Sequence, residues 1–332
     1  MMKPRLLAIA LLALAAQTAF ARPSVPPPTI APGEVWRDTS GTVIQAHGGG
    51  MLQVGKTWYW FGENRAPAPP GQRPPAVTCY SSTDLVHWQF RQNSLVRQAS
   101  GDLAAGRVIE RPKVLYNRAT RTFVMYLHID SPNYGEAKVG VATCNRVDGN
   151  YTYRGSFNPS GHQSRDMTLF QDPDGTGYLI YEDRARGAAI ARLSPDYLSV
   201  DREVCLIPHA LEAAAVVKVG PTYFLLGSHL SGWNANDNEY ATATTLAGPW
   251  SEFKNVAPAG ARTYESQTAF ILPVRGSQTT SYIYVGDRWK PSDLQDSRYI
   301  WLPLHIDGQA MSLAAPAPWT IDAATGAIKD QK

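Results

Sequence analysis

MTLFQDPDGTGYLIYEDRARGAAIARLS, residues 167–194, is the stretch whose reading decides the fold class. A short apolar strand (MTLFQD, from Met167) enters a turn, a strand rich in aromatic and β-branched residues follows (GYLIYED, from Gly177), and a third (AAIARLS, from Ala188) comes after a gap. The Asp-Pro-Asp-Gly at 172–175 superficially resembles a calcium loop but lacks the full ligand series. Lying between two strands, it reads as a hairpin turn.

The same order occurs four more times. Further first strands are GGGMLQV (from Gly48), PKVLYN (Pro112), AAAVVKV (Ala213) and TAFILPV (Thr268). Their second strands are TWYWFGE (Thr57), TFVMYLH (Thr122), TYFLLGS (Thr222) and SYIYVGD (Ser281), and their third strands AVTCYSS (Ala76), KVGVATC (Lys138), NEYATAT (Asn238) and RYIWLPL (Arg298). After four of the third strands, turn residues stand beside an aromatic, as in Ser-Pro-Asp-Tyr at 194–197 and Gly-Pro-Trp at 248–250, where a fourth, outer strand is expected to start. Five sheet units without an amphipathic helix between them predict an all-β chain, a five-bladed β-propeller. Ring closure is expected to join GEVWRDTSG (from Gly33) to PWTIDAATG (from Pro318), both strand-like and Gly-ended.

Residues 1–21 place Lys3 and Arg5 ahead of an apolar run that ends in Ala19-Phe20-Ala21, the pattern of a signal peptide with its cleavage site. The run is about half the length a bilayer span needs, so a membrane anchor is not expected and a secreted or periplasmic location is. Residues 22–33 read as a Pro-rich lead-in, residues 34–332 as the propeller, and APAPPGQRPP at 66–75 as a surface loop. Lys3 and Arg5 supply two of the three net positive charges, so the mature chain has no basic excess for a nucleic acid. With 9 Trp, 16 Tyr and only 18% charged residues, the surface suits a neutral ring such as a sugar. Three cysteines, Cys79, Cys144 and Cys205, make no disulfide framework and have no zinc-finger spacing; no metal and no cofactor are expected.

In a propeller the first strand of each blade lines the axis, so the residues at the starts of the five first strands converge. In order they are Gln45-Ala-His47, Glu110, Asp166, Glu212 and Gln267. Glycosidic bonds break when a carboxylic acid protonates the leaving oxygen opposite a base or nucleophile. Glu212 precedes the apolar run Ala213–Val217, a setting that favours a protonated carboxyl, and is read as that acid rather than as a strand-end cap. Asp166 stands beside Arg165, though strand neighbours point to opposite faces; a structural ion pair is its alternative. Glu110 is suited to accept hydrogen bonds from sugar hydroxyls or to pair with Arg111 or Lys113, and Glu63, after TWYWFG, is a similar candidate. Trp233, in the loop SGWNANDNEY, has the amide and acid neighbours used to stack a sugar; a core Trp is the plainer reading. His47, Tyr126 and Ser231 complete the candidate sugar contacts.

At AHGGG (Ala46), ERPKVLYN (Glu110), SRDMTLFQDPDG (Ser164), the Glu212 segment, SGWNAND (Ser231), Ser266-Gln267, GDRW (Gly286) and DSRYIWLPL (Asp296), the chain resembles glycoside hydrolase family 43, within it the exo-β-1,3-galactanase-like branch. The matching segments extend over nearly the whole mature chain. The resemblance implies a five-bladed propeller, inversion at the anomeric carbon, Glu212 as acid and Asp166 as the group that orients it and tunes its pKa. Most of the family has an Asp base in blade 1, where this chain has Gln45-Ala-His47-Gly. The branch implies that Gln267 positions the attacking water, with proton removal left to an unusual amide tautomer or a carboxylate such as Glu110. Two segments depart from the branch: Glu212-Ala-Ala replaces Glu-Ala-Pro, and Glu182-Asp-Arg-Ala-Arg-Gly in the third blade brings in Arg184 or Arg186 as a substrate contact. The expected substrate is a plant-type arabinogalactan galactan. The rivals are α-L-arabinofuranosidase or β-xylosidase activity, and a galactan-binding propeller without catalysis.

Overall fold

The computed structural model describes residues 29–67 and 75–330. The signal-peptide expectation, most of the lead-in and the middle of the 66–75 insertion lie outside them. Five antiparallel four-stranded sheets follow one another in chain order. Their inner strands are His47–Val54, Val108–Asn117, Met167–Gln171, Glu212–Val219 and Gln267–Arg275, and each packs on the next around the ring, the last against the first. These sheets are blades 1 to 5. Every blade has the fourth, outer strand, shortest in blade 4 at Lys254–Asn255. Asp-Pro-Asp-Gly is the expected hairpin turn: Asp172 N–H donates to Thr176 O and Gly175 N–H to Asp172 O, both at 2.9 Å.

Successive residues of a strand point to opposite faces, and in this ring both faces are buried. Along blade 4, Phe224 and Leu226 pack toward blade 5, while Tyr223 and Leu225 pack toward blade 3. The strands therefore read as continuous apolar runs without the alternation of a half-exposed sheet. Five apolar clusters result, one at each blade interface. All three cysteines are free.

The closing interface, between blades 5 and 1, is the most aromatic. Trp60 and Trp301 meet edge to face at 4.8 Å, and Trp36 meets Trp301 at 4.8 Å and Tyr299 at 5.4 Å. Closure differs in detail from the expectation. Trp319 pairs through two backbone hydrogen bonds, of 2.8 and 3.1 Å, with Ile30, three residues before Gly33. GEVWRDTSG bonds to the blades themselves, Gly33 N–H to Tyr299 O at 2.8 Å and Thr39 N–H to Trp88 O at 2.9 Å, and then turns back, Asp38 N–H donating to Thr42 O at 2.8 Å. Strand Trp319–Asp322 takes Ala327–Asp330 as its main partner.

Candidate active site

Each blade presents a facing pair at one end of the axis. His47 faces Glu63, Glu110 faces His128, Glu212 faces Ser228 and Gln267 faces Asp287. Asp166, one residue before its strand, accepts the Glu182 backbone N–H at 2.9 Å. The equivalence of positions read from the repeat is thus a register equivalence. A bulge follows the site residue in blades 1, 2 and 4, and the next residue takes a left-handed backbone: Gly48 at φ 55°, Arg111 at 55° and Ala213 at 56°. Bulges re-aim side chains, and Glu110 and Glu212 in blades 2 and 4 line the pocket beside theirs. For Arg111 and Ala213 this conformation costs about 1 kcal/mol or more each, strain held by the surrounding sheet. Only glycine fits at 48, since a Cβ there would collide with Glu63 Oε1.

The ring encloses a cavity of about 250 Å³ lined by Glu63, Glu110, Arg111, Asp166, Glu182, Arg184, Glu212, Trp233, Gln267 and Trp289, among others. A volume of this size is a pocket for a small ring rather than a cleft for a long chain. A larger cavity, about 920 Å³, opens at the opposite end of the axis. Its acids are Asp172, already held by Lys218 and Tyr223 (2.8 and 2.5 Å), and the turn residue Asp174, so the chemistry belongs to the smaller one.

On one side of the pocket lie Asp166, Glu182 and Glu212, whose oxygens come within 4.8 Å of one another. Burial, then the charges of Asp166 and Glu182, push the Glu212 carboxyl up to about 8, so it is protonated at neutral pH. Burial and the Asp166 charge raise Glu182 too, against the opposing pull of Arg184. Asp166 Oδ2 accepts the Ala213 backbone N–H at 3.1 Å and pairs with Arg111 Nη2 at 3.0 Å. Its sequence neighbour Arg165 also lines the pocket and donates to Tyr134 O at 2.8 Å.

Gln267 joins Glu212 to Arg111, which in turn pairs with Asp166. Its Nε2 donates to Glu212 Oε1 (3.0 Å) and Ser228 Oγ (2.9 Å), and its Oε1 accepts from Arg111 Nη2 (2.6 Å) and Trp289 Nε1 (2.8 Å). Arg and Trp are donors only, which fixes the orientation of the amide and fills both lone pairs of its oxygen.

Across the pocket, Arg65 bridges Glu63 and Glu110, and Tyr134 Oη donates to Glu110 at 3.0 Å. Burial alone would raise Glu110, but His128 and Arg65 outweigh it and hold the carboxyl at about 2. His128, although buried, is pushed up to about 9 by Asp130 and Glu110 and carries a charge. Glu63 is raised by burial and by Glu110, against the pull of Arg65. Arg111 pairs with neither Glu110 nor Glu63 through its side chain; it reaches across the axis to Asp166, Gln267 and Thr268 O.

Three sugar contacts expected from the sequence, His47, Tyr126 and Ser231, do not line the pocket. His47 is fully buried, stacked on Tyr299 at 4.9 Å, and its Nδ1 lies 3.0 Å from Asp287 Oδ1. Tyr126 is fully buried in the interface of blades 2 and 3, on the strand face that packs against blade 3. Ser231 stands behind the wall, its N–H 3.5 Å from Glu212 Oε1. Trp233 is half-buried at the rim, edge to face with Trp289 at 4.9 Å. Arg184 lines the pocket, 2.7 Å from Glu182 and 3.7 Å from Glu212, whereas Arg186 is occupied by Asp183 and Glu203 outside it. The reading missed Arg65, His128 and the central place of Arg111. A basic residue beside a site acid was the available signal, but their partners lie 45 to 157 residues away or on the facing strand.

Residues 47–271 match the model of glycosyl hydrolases family 43. The chain belongs to this family. It is an inverting glycoside hydrolase, as the family is. Among solved structures, the exo-β-1,3-galactanase of Phanerochaete chrysosporium, determined with β-1,3-galactotriose, is 44% identical over 91% of this chain and 70% of that one, with a TM-score of 0.86. The exo-β-1,3-galactanase of Clostridium thermocellum is 38% identical over 91% and 68%, TM-score 0.85. A putative exo-β-1,3-galactanase of Bifidobacterium bifidum is 39% identical over 85% and 95%, TM-score 0.80. No curated protein sequence matches the chain.

Proposed function

We propose that this family 43 hydrolase is an exo-acting β-1,3-galactanase that removes terminal galactose from arabinogalactan-type chains outside the cytoplasm, with Glu212 as proton donor. The observation that carries the chemistry is the environment of Glu212: a carboxyl buried beside Asp166 and Glu182, held toward the pocket by Gln267 and uncharged at neutral pH. The small pocket suits removal of one sugar at a time, and the likeness to galactanases supports the choice of sugar. Residues 1–21 support export.

Asp166 orients the acid by holding the Ala213 N–H next to it, and its charge keeps Glu212 protonated. Glu110, ionised and a weak base, is suited to accept hydrogen bonds from sugar hydroxyls. Gln267 orients the attacking water once substrate opens its bond to Trp289 or Arg111, since both oxygen lone pairs are otherwise engaged.

The test is chromatography of β-1,3-galactan digested by the wild type and by Glu212→Gln. Galactose release that falls by about 10²–10⁴ in the variant supports substrate and acid together. Arabinose or xylose release without galactose would sink the galactanase reading, and tight galactan binding without product would leave a binding propeller.

A further inference from the structure

Blade 4 carries a second cluster of ligating side chains, outside the catalytic pocket. His209 lies just before its inner strand, His229 directly after its second strand, and Glu239 begins its third, so consecutive strands of one blade bring all three to the same rim. His209 Nε2 is 3.1 Å from Glu239 Oε2, His229 Nε2 is 3.4 Å from the same oxygen, and the three ligand atoms lie within 4.8 Å of one another. A zinc ion with bonds of about 2.0–2.1 Å places tetrahedral ligands about 3.3 Å apart. Two of the three separations, 3.1 and 3.4 Å, are already close to that value, and the third is within 4.8 Å.

The side chains are held in place. His209 stacks on Phe253 with ring centres at 4.0 Å and planes 9° apart, which fixes the imidazole. The backbone of His229 is clamped on both sides by Asn236, which accepts its N–H at 3.2 Å and donates to its carbonyl at 2.8 Å. Glu239 is set by its strand register opposite Gly227 and Asn255. All three side chains are half-buried, open enough for an ion to enter and for water to complete its coordination.

We propose that His209, His229 and Glu239 form a binding site for a divalent transition-metal ion of the zinc type. Two imidazoles and one carboxylate are borderline ligands of the kind zinc prefers, and three protein ligands leave a fourth position to solvent. The site ties the segment leading into Glu212 to loop 229–239, which carries Ser231 and the pocket wall residue Trp233. Bound metal therefore stiffens one wall of the pocket without entering it.

The experiment is calorimetric titration of the metal-free full chain with zinc chloride, alongside melting temperature with and without zinc. The wild type is expected to bind one ion per chain and to melt at higher temperature with it. His209→Gln, His229→Gln and Glu239→Gln are each expected to weaken binding about tenfold or more and to lose the melting shift, and Glu212→Gln to bind like the wild type. Because three ligand variants are made, the test stands if one of them does not fold. The proposal is overturned if the wild type takes up no zinc, leaving a hydrogen-bonded trio, or if folded ligand variants bind undiminished. It is also overturned if Glu212→Gln abolishes uptake, which would place the ion on the catalytic carboxylates. The readout is binding, so it is independent of which glycan the enzyme cuts.

Discussion

Replacing Asp166 by Asn tests the electrostatics of the acid directly. The side chain keeps an oxygen able to accept the Ala213 N–H, so the change is mainly the loss of one negative charge. Charges within 4.8 Å interact by about 3 kcal/mol at an effective dielectric near 20, equivalent to about two pH units. Arg111, 3.0 Å from Asp166, neutralises part of that charge, and the expected effect falls to about one pH unit. As the proposed acid, Glu212 acts in its protonated form, so activity is expected below its pKa and its loss is expected as pH rises through about 8. Without the Asp166 charge, Glu212 ionises more easily and the alkaline limb moves to lower pH. The assay is galactose release from a β-1,3-galactooligosaccharide, with kcat/KM followed against pH, which reports the ionisations of the free enzyme. An alkaline limb that stays in place or moves upward in a folded Asp166→Asn enzyme would falsify either the assignment of Glu212 as acid or the role of Asp166 in tuning it.

Gln267→Ala removes the contact that joins Glu212 to Arg111 and is expected to lower kcat by about a hundredfold or more; full turnover would end the water-orienting role. Lys113 is buried on the axis and burial lowers its ammonium to about 7, so between about 7 and 10.5 the unfolded chain holds a proton that the folded one lacks. The wild type should therefore gain stability relative to Lys113→Met as pH rises through that window, measured by urea unfolding at a series of pH values; a constant difference would refute it. Trp301→Ala opens the fully buried closing interface and is expected to cost about 3–5 kcal/mol, read as a lower urea midpoint.

Much of the site was legible because the repeat is a register. Glu110, Asp166, Glu212 and Gln267 occupy the starts of inner strands, and a chain with five copies of one unit brings such positions to one axis. His47 occupies an equivalent place yet faces Asp287 and Tyr299, because position in a repeat does not determine which side of a bulged strand a side chain leaves from. Tyr126 belongs to a second strand, whose residues alternate between two interfaces with neighbouring blades, so its side chain is spent on packing against blade 3 and not on the pocket. Trp319 was correctly placed in ring closure while its partner was not, since Ile30 and Gly33 are both close enough to the fold to be candidates and only packing selects one.

The sequence by itself determined the all-β class, the five units, their turns and the convergence of Glu110, Asp166, Glu212 and Gln267 on one axis, because apolar runs, turn residues and the spacing of polar strand-start residues are local and periodic. Only the tertiary structure decided who pairs with whom. Arg111 finds Gln267 at a separation of 156 residues, Arg65 finds Glu110 at 45, and the raised pKa of Glu212 arises from burial in the closed ring and then from the charges of Asp166 and Glu182 on the neighbouring blade. Those interactions depend on distances across the closed ring, and distance across a ring is a property that no stretch of the chain contains.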